Sequence, residues 1–314
     1  MGEPIFILGI MPRSGTNYLW DLVRLHPDIT TTDPVMEDFM VAESSQLHRF
    51  VTNVCSHWSA EWGVDEGLRR ELTERLGVAV IGFLAARASG RRFVTKTPSV
   101  RSLEHVFEFF PHARVVVIVR DGRSVIESGV RTFGWEYERA MHRFAEAGRR
   151  IIRFQESDAP RDRYRIIRYE NAFTDPAATM DELLPFLGLD PSCYDFSGAC
   201  KLPVRGSSLV LEQSDAIHWE PLTDLEHFDP LNRWRNWDQA RHERFNWIAG
   251  RWQRQLGYGL VESEGRRRVV WNLRNRARDS AMALGEEGRA VWAMSGRFIG
   301  RLRKMFLAAR TEAR

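Results

Sequence analysis

The stretch from Pro4 to Leu25 constrains the fold of this chain more than any other. Ile5 to Ile10 is a short apolar run rich in β-branched residues, which predicts a buried strand. A turn of small residues follows, and from Asn17 to Leu25 the apolar side chains recur at helical spacing. The unpaired N–H groups at the start of such a helix, together with the helix dipole, attract anions. The stretch therefore predicts a strand–loop–helix unit that holds a phosphate or sulfate group.

The loop itself, Pro12-Arg13-Ser14-Gly15-Thr16, is not the Walker A loop that binds nucleoside triphosphates. That loop needs four residues between its two glycines and a lysine directly after the second. Here five residues separate Gly9 from Gly15, and Thr16 stands in place of the lysine. The cation comes earlier, as an arginine. We therefore expect an anion site of another kind, built from Arg13, Ser14, Gly15, Thr16 and Asn17.

Further strands alternate with helices along the chain. Arg114 to Val119 is apolar on both faces, as in the centre of a parallel sheet. Arg91 to Thr95 and Tyr164 to Arg168 predict two more strands, and Ile29 to Thr32 a short additional one. Helices are expected over 39–58, 66–88, 100–109, 122–129, 136–155, 175–187 and 239–256. This order predicts a P-loop-like α/β fold of three layers, with a central, mainly parallel sheet flanked by helices and ligands at the carboxyl ends of the strands.

The domain organisation is predicted as one domain over residues 1–260 and a basic helical extension over 261–314. Residues 265–314 hold 13 Arg or Lys against 4 Asp or Glu, whereas the rest of the chain is mildly acidic. Apolar residues between Val291 and Phe306 recur at three- and four-residue steps. We expect the extension to pack on its own domain or on a second subunit in a homodimer, or to lie on an anionic membrane. Basic residues alone do not indicate nucleic-acid binding, which we do not expect.

The cellular setting follows from what the composition lacks. The three cysteines form no disulfide or metal-ligand pattern, and no apolar run is long enough to span a membrane. We therefore expect a cytoplasmic protein. If the basic tail binds a membrane, we expect it to do so at the inner face.

Four more motifs lie after predicted strands or in the loop-rich region 197–236. They are Lys96-Thr97-Pro98, the pair Arg120 and Ser128, Tyr169-Glu170-Asn171, and Arg205-Gly206-Ser207-Ser208. Lys96 stands out because only three of the 45 basic residues are lysines.

Together with the Arg13 loop and in this order, these motifs resemble the PAPS-dependent sulfotransferase family, closest to bacterial members of its carbohydrate and tyrosylprotein-type branch. The resemblance covers about residues 4–260. It implies that the first loop binds the 5′-phosphosulfate, that Arg120 and Ser128 bind the 3′-phosphate, and that the loop at Arg205, Gly206 and Ser207 closes on the same phosphate. It also implies that Tyr169 contacts the adenine. PAPS (3′-phosphoadenosine 5′-phosphosulfate) is then the donor, and a hydroxyl of a glycan, glycolipid or other small-molecule alcohol is the acceptor.

The resemblance also suggests the catalytic groups. Lys96, with Arg13, is the candidate for stabilising charge on the oxygen that bridges phosphate and sulfate. The family's small-molecule branch has a histidine base two residues after this lysine, but Pro98 occupies that position. The carbohydrate branch uses a glutamate after the first loop, and Glu37 lies in a similar segment. Our hypothesis is that Glu37 takes the proton of the acceptor hydroxyl during in-line attack on sulfur. Asp33 and Asp38 remain open as alternatives.

Two other functions are weighed against this one. A nucleotide-dependent kinase is disfavoured because no lysine follows Gly15. No Asp, Glu or His residues stand at the spacing of metal ligands either, so no metal is expected. A catalytically idle nucleotide-binding module is disfavoured because Lys96 and Arg13 are both present. His218, next to Trp219, is a weaker candidate for contact with the acceptor.

Overall fold

The computed structural model of the chain describes residues 2–205 and 229–282. Gly206, Ser207, Ser208, His218 and Trp219 lie outside these residues, as does most of the basic tail. The chain forms two compact units, one of Met1–Trp237 with Ile248–Leu260 and one of Asp238–Trp247 with Val261–Arg314.

The first unit is built on a four-stranded parallel sheet. The strands are β1 (Ile5–Gly9), β2 (Val94–Thr97), β3 (Arg114–Val119) and β4 (Tyr164–Arg168), in the spatial order β2-β1-β3-β4. Every residue of β1 and β2 is buried, and so is all of β3 after its first residue. Such strands are buried because helices cover both faces of a parallel sheet.

The helices alternate with these strands. They are α1 (Thr16–Arg24), α2 (Ser44–Ser56), α3 (Glu66–Arg87), α4 (Val106–Phe109), α5 (Gly122–Phe133), α6 (Tyr137–Glu156), α7 (Tyr169–Thr174), α8 (Pro176–Leu187), α9 (Phe196–Cys200) and α10 (Gln239–Gln255). Single 3₁₀ turns lie at Ala60–Trp62, Leu103–His105 and Pro191–Cys193.

The core lies on both faces of the sheet. On one face, Ile5 and Ile7 pack with apolar residues of α1 and α8. On the other, the ring of Phe6 meets that of Phe110, with centroids 5.2 Å apart. The structure therefore confirms the predicted three-layer α/β fold with a central parallel sheet.

Four local predictions differ from the structure. The second strand is Val94–Thr97, so Lys96 and Thr97 lie inside it and only Pro98 follows it. Residues 29–32 form no strand, because only Thr30 pairs with the neighbouring backbone before the chain turns at residues 32–35.

The other two differences concern helices. The helix predicted from residue 39 begins at Ser44, since Phe39 has a left-handed backbone (φ 48°) that no helix continues. The segment 100–109 splits into the 3₁₀ turn Leu103–His105 and the short α4.

The second unit contains the start of α10 and a helix over residues 265–282. Asp279 joins the two, since it accepts from Arg244 Nη2 at 2.6 Å and from Trp247 Nε1 at 2.8 Å. Val269 and Leu273 are exposed on the later helix. Every helix within residues 2–205 and 229–282 is too short or too polar to cross a bilayer.

Candidate active site

The loop between β1 and α1 is shaped by a ring packed beneath it. Gly15 caps α1 with a left-handed backbone (φ 98°), and a β-carbon there would lie 2.2 Å from Cδ2 of Tyr169. Tyr169, the first residue of α7, is fully buried. Only glycine has both the backbone freedom and the small size that this position needs. The loop backbone therefore lies directly on the carboxyl end of β4.

Arginine side chains from three parts of the chain converge beside this loop. Arg13 donates from Nε to Ser128 Oγ at 3.0 Å. Arg120, just after β3, donates from Nη1 to the carbonyl oxygen of Arg13 at 2.7 Å and lies over the Tyr169 ring. Arg233, buried and within the same unit, completes the group. We call Arg13, Arg120 and Arg233 the arginine cluster.

The electrostatics of the arginine cluster favour an anion. Burial and the charges of Arg120 and Arg233 lower the pKa of Arg13 to about 10. Burial, followed by the charge of Arg120, lowers the pKa of Arg233 to about 10 as well. Arg13 and Arg233 therefore still carry their charge near neutral pH, and the like charges of the cluster repel one another in a partly desolvated space. A bound anion would relieve that repulsion.

A cavity of about 70 Å³ lies between the loop and the arginine cluster. Its wall includes Gly15, Asn17 and Ser128 besides the three arginines. Ser14 Oγ, Asn17 Oδ1 and Arg120 Nε are buried polar atoms of this region that have no hydrogen-bond partner among the described residues. Buried polar groups are normally paired, so these atoms suit a polar ligand with anionic oxygens.

Lys96 and Glu37 form an ion pair near the loop. Lys96 Nζ lies 2.9 Å from Glu37 Oε1, and its side chain is fully buried whereas that of Glu37 is 23% exposed. Burial lowers the pKa of the Lys96 ammonium, and the nearby Glu37 carboxylate opposes that shift. Lys96 reaches this place because β2 pairs with β1 in a register that sets Lys96 beside Ile7.

Asp38 holds the Glu37 segment against β2. Its carboxylate accepts from Thr97 Oγ1 at 2.7 Å and from Thr95 Oγ1, the two threonines on either side of Lys96. Its backbone N–H donates to the Lys96 carbonyl at 3.3 Å. Burial raises the pKa of Asp38, and the bonds from the two threonines oppose that shift. The Asp38 carboxylate is thus engaged with the strand, while that of Asp33 is exposed and accepts from Thr31 Oγ1 at 2.7 Å.

Glu37 lines a second, larger cavity of about 750 Å³. Arg13, Thr16 and Asn17 belong to the walls of both cavities, so the two meet at the start of α1. The wall of the large cavity also carries aromatic rings and arginines, namely Phe39, Phe133, Trp135, Arg101, Arg143 and Arg150. Such a mixture suits an acceptor with an apolar or ring-shaped part and polar substituents.

The structure brings most of the sequence-predicted residues to one place. Arg13 to Asn17, Arg120, Ser128, Tyr169 and Arg205 line the small cavity or border it, and Lys96 and Glu37 meet beside the large one. Arg205, however, is engaged by a carboxylate: its Nε donates to Asp21 Oδ2 at 2.7 Å. Gly206 and Ser207 lie outside the described residues.

Sequence reasoning missed two members of this site. Arg233 belongs to none of the motifs that the sequence analysis assigns to the anion site. Asp21, one α-helical turn after Asn17, is buried and pairs with Arg205. A buried acid on the core face of α1 implies a cation opposite it, and that rule would have pointed to this pair.

Comparisons with known proteins bear on the whole arrangement. The model of the sulfotransferase family matches residues 4–192. A protein-tyrosine sulfotransferase of Drosophila melanogaster is 24% identical over 201 residues, which are 59% of this chain and 38% of that protein. A putative protein-tyrosine sulfotransferase of Caenorhabditis briggsae is 23% identical over 199 residues, 60% of this chain and 67% of that protein. The chain thus spans only about two fifths of the Drosophila protein.

A solved structure shows the same fold. The sulfotransferase domain of the olefin synthase of Synechococcus PCC 7002 matches 83% of this chain and 98% of its own length, with 21% identity and a TM-score of 0.52. The match of the family model covers more than half of the chain, including the loop at Arg13, the Glu37–Lys96 pair and Arg120. This chain therefore belongs to the sulfotransferase family.

Proposed function

We propose that this protein transfers a sulfuryl group from PAPS to a hydroxyl group of an acceptor. The observation that carries the proposal is the position of the Glu37–Lys96 pair. It lies beside the large cavity, and that cavity shares Arg13, Thr16 and Asn17 with the cavity at the arginine cluster. An anionic donor in the small cavity and a hydroxyl in the large one would meet at these shared residues.

The arginine cluster and the loop would hold the donor. Arginine is suited to phosphate because its fork of N–H groups matches two oxygens at once. Ser14 Oγ and Arg120 Nε, which have no hydrogen-bond partner among the described residues, are two further donors in the same region. PAPS supplies the activated sulfate, and adenosine 3′,5′-bisphosphate is the product that leaves.

Glu37 and Lys96 would handle the proton and the charge. As the acceptor oxygen bonds to sulfur, its proton passes to Glu37, and the bond from sulfur to the phosphate oxygen breaks. The negative charge left on that oxygen is stabilised by Lys96 and Arg13. Asp38 is less suited to act as the base because two threonines occupy its carboxylate, and Asp33 is disfavoured by its exposed position.

The acceptor is proposed as a glycan, glycolipid or other alcohol. A tyrosyl hydroxyl is the second candidate, since two relatives bear the name protein-tyrosine sulfotransferase and the large cavity contains three aromatic rings. Both candidates use the same base and the same donor site.

The test incubates the full chain with radiolabelled PAPS and two sets of acceptors, sugars or alcohols and tyrosyl peptides. We expect label in a product from one set and none with the Lys96→Met variant. In parallel, adenosine 3′,5′-bisphosphate should raise the melting temperature more than adenosine 5′-monophosphate does. An equal response to both nucleotides, or stabilisation only by Mg²⁺ with ATP, would overturn the proposal in favour of the kinase alternative.

A further inference from the structure

A second cluster of titratable side chains lies away from the proposed site. It consists of His48 on α2, His105 at the end of the 3₁₀ turn, and Glu108 on α4. His48 Nδ1 lies 2.8 Å from Glu108 Oε2 and 3.0 Å from Oε1. His105 Nδ1 lies 3.0 Å from the same Oε2. Both imidazoles therefore face one carboxylate oxygen.

The two histidine rings are also stacked. Their centroids are 4.2 Å apart, at an interplanar angle of 24°. One potential ligand atom from each of the three residues lies within 4.8 Å of the other two. Two protonated rings in this stack would repel each other, whereas two neutral rings can share a cation through their Nδ1 lone pairs.

We propose that His48, His105 and Glu108 form a binding site for a zinc-like divalent transition-metal ion. Two imidazoles and a carboxylate, with water in the fourth position, are a set of ligands that Zn²⁺ accepts. Mg²⁺ and Ca²⁺ prefer oxygen ligands and are not expected here.

The geometry requires only a small expansion. With bonds of about 2.0–2.1 Å, a tetrahedral site has ligand atoms about 3.4 Å apart. The present N···O distances of 2.8 and 3.0 Å are shorter, so each nitrogen must move away from the carboxylate oxygen by about 0.4–0.6 Å to admit the ion. The side chains of His48, His105 and Glu108 are 34%, 21% and 29% exposed, so an ion and its water can enter.

The ion would join two segments that build the large cavity. The segment ending at α2 carries Phe39 and Ala42, and the segment ending at the 3₁₀ turn carries Pro98 to Arg101, all of which line that cavity. Between them, Ser102 Oγ already bonds to the Ala42 carbonyl and lies 3.0 Å from Ser45 Oγ. A metal bridge from α2 to His105 and Glu108 would reinforce this junction. Its role is structural, since none of its three ligands lines either cavity.

The test uses the full chain stripped of metal by chelation. Titration calorimetry should show one Zn²⁺ per chain, and Co²⁺ should give the visible absorption of a tetrahedral site. At a free zinc concentration about 100 times the dissociation constant, the melting temperature should rise by several degrees. Mg²⁺ and Ca²⁺ should give neither effect.

Three variants locate the ion. His48→Ala, His105→Gln and Glu108→Gln should each weaken Zn²⁺ binding by about tenfold or more. The matched control is His142→Ala, which removes an exposed histidine that lies 3.8 Å from a single carboxylate, that of Glu138. It should bind Zn²⁺ as the wild type does.

The result that would overturn the proposal is equal Zn²⁺ binding by all four variants and the wild type, or no stoichiometric binding at all. The cluster would then be held by direct hydrogen bonds between the histidines and Glu108. Circular dichroism of each variant shows whether it is folded, and Glu108→Gln keeps the shape of the side chain. Metal binding and melting temperature do not depend on sulfuryl transfer, so their outcome tests the metal site independently of the proposed function.

Discussion

At Lys96, the charge that the proposed reaction needs is expected to lower the stability of the fold. Its ammonium group is fully buried and paired with a partly exposed carboxylate. Removing a charge from water is expensive, and an ion pair in the interior repays that penalty only in part. We therefore expect this pair to serve the reaction at the expense of stability.

Lys96→Met tests that expectation. A methionine fills nearly the same space without a charge, and Glu37 can be solvated because 23% of its side chain is exposed. Sulfuryl transfer should fall by about 100-fold or more. The melting temperature at pH 7 should stay the same or rise. A fall of several degrees would instead show that the pair is a net source of stability.

The difference between Lys96→Met and the wild type should also depend on pH. Burial lowers the pKa of Lys96 in the folded protein, so the unfolded chain binds more protons than the folded one in the alkaline range. The destabilising effect of charging Lys96 is therefore fully present below its lowered folded pKa and disappears as the pH rises above its unfolded pKa of about 10.4. Melting temperatures from pH 7 to pH 10 should show the wild type gaining on the variant as the pH rises.

Glu37→Gln separates the base from the donor site. The amide cannot take a proton, so turnover should fall by about 100- to 10,000-fold, while calorimetric binding of adenosine 3′,5′-bisphosphate stays close to that of the wild type. Asp33→Asn is the matched control, because Asp33 is an exposed carboxylate in the same segment. If Glu37→Gln turned over like the wild type and Asp33→Asn did not, the assignment of the base would be wrong.

At the scale of the elements, the loop from β1 to α1 depends on α7 as much as on its own residues. The Tyr169 ring supports Gly15 and lies under Arg120, so one side chain positions both the loop and a member of the arginine cluster. α7 is in turn anchored by Glu170, which accepts from the Asp121 N–H at 2.9 Å. The carboxyl ends of β1, β3 and β4 are thereby joined.

Gly15→Ala should disrupt this junction. A methyl group would meet the Tyr169 ring at 2.2 Å in addition to the strain of a left-handed backbone. Gly134→Ala is the matched control, because Gly134 also has a positive φ (63°) but no atom within 4 Å of the new carbon. In urea unfolding, Gly134→Ala should lower the free energy of unfolding by about 1–2 kcal/mol, and Gly15→Ala should lower it further. Equal costs, with bisphosphate binding retained in both, would contradict the supporting role of Tyr169.

At the scale of the whole first unit, residues 248–260 return from far along the chain to the ends of β3 and β4. Tyr258 donates to Glu170 Oε2 at 2.7 Å, and Gln253 Oε1 accepts from the Gly122 N–H at 3.0 Å. Arg123 and Arg168 donate to the backbone carbonyls of Gly259 and Gly257. The end of this unit thus supports the same strand ends that present Arg120 and Tyr169.

The variant Tyr258→Phe tests how much residues 248–260 stabilise the ends of β3 and β4. Burial and the Glu170 carboxylate raise the pKa of Tyr258, so its hydroxyl remains a neutral donor at physiological pH. Its loss leaves one Glu170 oxygen without this donor, and unfolding by urea should show a cost of about 1–3 kcal/mol. Tyr164→Phe is the control, since the partner it loses is the exposed Arg161, which water can solvate. If Tyr258→Phe lowered the free energy of unfolding no more than Tyr164→Phe does, the hydrogen bond from Tyr258 to Glu170 would not support this unit.

Much of the fold and of the candidate site could be predicted locally. Local patterns of neighbouring residues predicted the strand β3, the helix α1 and the turn at Gly15, and the structure has all three. Boundaries that depend on distant partners were missed. β2 extends through Lys96 because it pairs with β1. α2 begins late because Phe39 has a left-handed backbone directly after Asp38, which is bound to the threonines of β2.

The sequence by itself determined which residue types could hold an anion and in what order they occur. Only the tertiary structure decided which of them meet. The bonds of Asp38 to β2 bring Glu37 to Lys96 from 59 positions away, and the packing of α2 on the 3₁₀ turn and α4 brings His48 to Glu108 from 60 positions away. The physical reason is that the local pattern of residues sets secondary structure, whereas the energies of burial and charge pairing depend on neighbours that only the folded chain supplies.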